Sequence, residues 1–93
     1  MADISIVKQH EIDTGILKER LEGLAAELKR KYGVRSRWDG DTCLLDGAGL
    51  KKGVVEMSGS QVKIEVTLGM MAKMLKGTIQ KEIDAKLAKV LAP

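Results

Sequence analysis

The chain has 93 residues, 44% hydrophobic and 31% charged, with a net charge of +3. That composition describes one ordinary folded domain and excludes a disordered chain; no run approaches the ~20 apolar residues of a membrane-spanning helix. The basic excess is small for a dedicated nucleic-acid binder.

Aromatic residues are scarce, with one Trp, one Tyr and no Phe, so the core has to be built from Leu, Ile, Val and Met. Cys43 is the only cysteine. It cannot close an internal disulfide, which fits a reducing cytoplasm. The opening MADISIVKQHEID has no apolar run of signal-peptide type, so no leader is expected.

Asp3 to Lys8 alternates, with Ile4 and Ile6 on one face, and reads as a short strand. After a connector, Asp13 or Thr14 can cap a helix. In that helix Leu17, Leu21, Leu24, Ala25, Leu28 and Tyr32 share one stripe roughly 100° wide. Glu27 and Lys31 form a favourable pair one turn apart, and Gly33 stands where a left-handed helix terminator is expected. Val34 to Trp38 reads as a strand exposing Arg35 and Arg37. Asp39-Gly40 signals a hairpin turn into a strand over about Thr42 to Asp46. GAGLKKG reads as a flexible connection. A fourth strand over about Lys52 to Met57 turns at Ser58-Gly59-Ser60 into a fifth. There Val62, Ile64, Val66 and Leu68 point one way and Gln61, Lys63, Glu65 and Thr67 the other.

After Gly69 comes a helical segment with two apolar stripes. Ile79, Ile83, Leu87 and Val90 form one; Met70, Met71, Met74 and Leu75 form another, roughly 145° away on an unbroken helix. One straight helix cannot press both onto a flat sheet. Either the helix breaks near Gly77, with Thr78 as cap of the restarted part, or the methionines point elsewhere. The order β-α-β-β-β-β-α implies a single α+β domain over residues 1–93. Its antiparallel sheet would have four to five strands, with two helices on one face.

No residue set has the form of a catalytic or metal centre. His10 is the only histidine and has no neighbouring nucleophile pattern, so a structural or surface role is expected. Cys43 reads as a small packed side chain. Asp39, Asp41 and Asp46 lack calcium-loop spacing, and Gly47, Gly49 and Gly53 lack the ending of a phosphate loop. No cofactor is implied, and an enzyme is the class least expected. Two binding surfaces are candidates. Met70, Met71 and Met74 would form an adaptable apolar patch, or complete a core short of aromatics. Lys29, Arg30, Lys31, Arg35 and Arg37, beside Tyr32 and Trp38, would form a basic cluster for nucleic acid. The plainer account of that cluster is a solvated helix end, where cations are favoured in any case. The methionine stripe or an unpaired sheet edge would also serve a homodimer.

Three segments in order carry a resemblance: ADISIVKQHEI, KRKYGVRSRWDGD and VKIEVTLGMMAKMLKGTIQKEIDAKL. They contain YGV-x-x-x-W and L-x-x-x-L-K-G-x-I-x-x-x-I, with Met71 in the first slot of the latter. The chain from Met1 to Leu91 resembles the polyhydroxyalkanoic acid system family, small bacterial proteins encoded near genes of storage-polyester metabolism. Thr78 stands where many members place Pro. The resemblance transfers no catalytic residue. It implies a non-enzymatic accessory protein at the storage granule or on a granule protein, in the cytoplasm. A carrier of a fatty or hydroxyacyl chain, with a cavity lined by Val62, Ile64, Val66 and Ile83, is the alternative, and nucleic-acid binding a second.

Overall fold

The computed structural model describes residues 2–47 and 49–92. Eight elements follow one another: β1 (Ile4–Gln9), α1 (Thr14–Tyr32), β2 (Arg35–Asp39), β3 (Thr42–Gly47), β4 (Leu50–Met57), β5 (Gln61–Leu68), α2 (Met70–Lys73) and α3 (Lys76–Val90). The strands form one antiparallel sheet in the order β1-β5-β4-β3-β2. Hairpins produce the meander β2 to β5, and β1 adds to the far edge beside β5. The segment through α1 therefore has to carry the chain from one edge of the sheet to the other.

Register explains which side chains meet. Ile6, Ile64, Val55, Cys43 and Trp38 are cross-strand neighbours in one row. Period-two alternation turns this row toward the helices, and β5 shows it most clearly: Val62, Ile64, Val66 and Leu68 are buried while their neighbours are half-exposed. Leu17 and Leu21 of α1 and Leu87 and Val90 of α3 pack on that face. The result is the expected two-layer α+β arrangement.

Local signals set the ends of α1. Asp13 is the cap, its Oδ1 accepting from Gly15 N at 2.9 Å. Gly33 ends the helix at φ 74, and its N–H donates to Lys29 O, the left-handed closure that glycine permits.

Two expectations need correction. GAGLKKG is not a flexible connection: β4 already starts at Leu50 and runs through Gly53, while Ala48 lies outside the described residues. The glycines serve close backbone approach instead. A Cβ on Gly47 would lie 2.9 Å from Gly33 O, one on Gly69 2.9 Å from Gly49 O, and one on Gly53 2.9 Å from Leu45 Cβ. The second correction concerns the last helix. It does break, but at Met74-Leu75, where Leu75 takes the non-helical φ −105, ψ 15. Gly77 and Thr78 lie inside the first turn of α3, and Thr78 caps nothing. On either side of the break both segments pack: Ala72 sits beside Gly49, and Ile79 and Ile83 pack against the core.

Candidate functional site

The turn that begins with α2 and runs on to Leu75 exposes four large apolar side chains. Met70, Met71 and Met74 are 87%, 86% and 86% exposed and Leu75 is 59% exposed. At about 100° per residue, positions 70, 71 and 74 share one side of a helical turn and Ala72 takes the opposite side. Ala72 packs against the core. Lys73 lies 3.9 Å from the Asp3 carboxylate, whose Oδ2 accepts from Leu68 N at 2.8 Å. The turn is thus held from below by Ala72 and Lys73, and the methionines do not finish the core. Lys73 and Lys76 flank them.

Beside this patch the two long helices leave a cavity of about 370 Å³ between α1, α3 and the inner face of the sheet. Its walls are apolar. Leu24 and Leu28 of α1 face Ile79 and Ile83 of α3, over a floor that includes Leu45 and Val66. These four helical residues are half-buried, not buried, because they border this space. Trp38 and Cys43 also line it. Burial pushes the Cys43 thiol up, which suits a packed side chain and not a nucleophile. Lys18 Nζ stands 5.0 Å from the Trp38 ring centroid and donates to Gly40 O.

Polar pairs tie α1 to α3. Arg20 donates to the carbonyls of Val90 and Ala92 at 3.0 and 2.9 Å. Glu27 accepts from Lys86 at 3.3 Å and from Lys31 at 2.9 Å; these two ammonium groups, Lys31 first, hold its carboxyl below the usual range. The Tyr32 hydroxyl donates to Glu82 Oε1 at 2.6 Å. That bond, then burial of the ring, pushes the phenol pKa up. Tyr32, Glu82, Lys86 and Thr78 all border the cavity and make its rim polar. Leu75 belongs both to the rim and to the exposed apolar patch, so the two features are continuous.

The other expected residues fall elsewhere. His10 is buried; its Nδ1 accepts from Ile12 N at 3.1 Å, so Nε2 carries the proton donated to Ser58 O at 2.8 Å. It staples the start of α1 to the β4–β5 turn. Lys29, Arg30 and Lys31 occupy the last turn of α1, and Arg35 and Arg37 the outer face of edge strand β2. Arg35 pairs with Asp46 at 2.8 Å and Lys31 with Glu27. Trp38 faces the cavity and Tyr32 is engaged by Glu82, so the basic cluster lacks the free stacking platform of single-strand binders. Val62 is fully buried but does not line the cavity, whereas Ile64, Val66 and Ile83 do. Tyr32, Trp38, Glu82 and Lys86 were not expected at this site, and Leu75 was expected only within the methionine stripe; for Tyr32 the sequence signal was its place closing the apolar stripe of α1. No helix among the described residues is long and apolar enough to cross a membrane.

No match to the chain is found among curated proteins or among solved structures. A family model described as "Putative polyhydroxyalkanoic acid system protein (PHA_gran_rgn)" matches residues 4–91. That span takes in every strand, the α1 helix, the methionine turn and both walls of the cavity, and the chain belongs to this polyhydroxyalkanoic acid system family.

Proposed function

We propose that the chain is a non-enzymatic accessory protein of polyhydroxyalkanoate metabolism that works in the cytoplasm at the storage-granule surface. Met70, Met71, Met74 and Leu75 make the contact. The observation that carries this reading is the exposure of four large apolar side chains on one anchored turn. Contiguous exposed apolar groups of this kind mark interaction surfaces. Burying one methionine side chain is worth ~1.5–3 kcal/mol, so together the four supply enough to offset part of the cost of association. Lys76 suits the same partner: its stem can lie along apolar surface while the ammonium group donates to ester oxygens.

Co-sedimentation with native and protein-stripped granules across a salt series tests this. The expected result is salt-resistant binding to stripped polymer, weakened about tenfold or more, that is by at least ~1.4 kcal/mol, in Met70→Ser/Met71→Ser/Met74→Ser. Unchanged binding by that variant, with its circular dichroism intact, would remove the methionine surface. Binding to native granules alone would assign the contact to a granule protein.

A further inference from the structure

We propose that the cavity between α1, α3 and the sheet binds one medium-length acyl chain with a hydroxyl or carboxyl head, a single hydroxyalkanoic acid, entering beside Leu75. The choice of ligand rests on the proposed role at a polyester of hydroxyalkanoic acids, whose monomers have this chemistry.

The walls argue for an occupant. The space is half open at its rim, so apolar walls left unfilled there face water, and an apolar occupant removes that surface from water. About 370 Å³ is far more than a packing defect and falls within the ~300–1,000 Å³ of small-molecule sites. The sequence contains no Phe that would fill it. At ~30 Å³ for a water-sized group, which a methylene approximates, the space holds roughly ten such groups. A long polymer strand does not fit; one acyl chain does.

The rim argues for the head group. Leu24, Leu28, Ile79 and Ile83 offer no polar atom in their side chains, so the chain end lies among them. At the mouth, Thr78 and Tyr32 carry hydroxyls and Lys86 an ammonium. Lys86 is already shared with Glu27, so a carboxylate head competes for an ion pair that exists, and a hydroxyl completes its bonds at Thr78 or Glu82. Leu75 joins the mouth to the methionine patch. The surface that contacts the polymer therefore opens directly into the space that takes the monomer.

Trp38 is the only tryptophan and lines the cavity, so its emission reports entry. The full chain is titrated with decanoic acid and with β-hydroxydecanoic acid, followed by Trp38 fluorescence and by calorimetry. One-to-one saturable binding with a blue shift of the emission is expected. It persists in Met70→Ser/Met71→Ser/Met74→Ser, because the patch is not the pocket. It weakens about tenfold or more in Ile83→Phe and in Leu28→Phe, which fill the space from opposite helices. A raised Tm reports that each variant is folded and filled, and two positions guard against one failing to fold. Absence of saturable binding, or folded filled variants that bind like the parent, overturns the proposal. Co-sedimentation of the same filled variants with stripped polymer keeps the two readings apart. The filled variants are expected to keep polymer binding while losing the acid; in the parent chain, polymer binding without acid binding sinks the cavity alone, and acid binding without polymer binding sinks the surface alone.

Discussion

Tyr32 shows how one side chain joins stability to the site. Its neutral phenol donates to Glu82 across the gap between α1 and α3, and this raises its pKa. The sign follows from linkage: a group whose folded pKa is raised contributes below its unfolded value of about 10 and loses that contribution as the pH climbs through the folded value. Because Tyr32 is the only tyrosine, an ultraviolet titration of the phenolate reads it alone. The midpoint is expected above 10 in the parent and lower in Glu82→Gln, which removes the charge while leaving an acceptor. Equal midpoints in the two proteins would mean that the bond does not persist in solution. Nothing in the sequence pairs residues 32 and 82; only the α1–α3 packing does. His10 is the opposite case. Its isolation already argued for a structural role, and its two bonds supply one.

Among the elements, strands were the most legible. The alternation of β5 marked its buried side residue by residue, since neighbouring side chains on a pleated strand point to opposite faces. β4 was misjudged at its start because Gly, Leu, Lys and Lys carry no strand period of their own. Its first residues are strand because Leu50 pairs with Gly47 and Leu68, contacts remote from local pattern. Gly53 belongs here. It sits buried within β4, and Leu45 leans over it, a close approach that a glycine inside a strand commonly marks. Gly53→Val is expected to destabilise the fold by ~1–3 kcal/mol through overpacking, read as a lower denaturant midpoint with unchanged slope. A midpoint equal to that of the parent would show that Leu45 moves aside without strain. The terminal helix was half legible. Two stripes out of phase demanded a break, yet Gly77, the residue most permissive of one, lies within a regular turn.

Over the whole molecule, stability should be graded from the centre of the sheet to the methionine turn. β5 is paired on both sides and its inner residues are buried, whereas α2 has four residues, no side-chain cap and no buried residue. Amide exchange is therefore expected to be slowest over Val62–Leu68 and fastest, among the helices, over Met70–Lys73. Protection of α2 equal to that of β5 would contradict a turn held only by Ala72 and Lys73. By itself the sequence determined the α+β class, the buried faces of β1, α1 and β5, the helix terminator at Gly33, and the family. The structural features follow from spacing or turn chemistry within a few residues; the family follows from a resemblance that runs along nearly the whole chain. The place of the helix break, the backbone contacts of Gly47 and Gly69, the Tyr32–Glu82 bond and the cavity were decided only by the tertiary structure. Periodicity states which face of an element is apolar. It does not state how far apart two apolar faces come to rest, and that separation is set by side chains drawn from opposite ends of the chain.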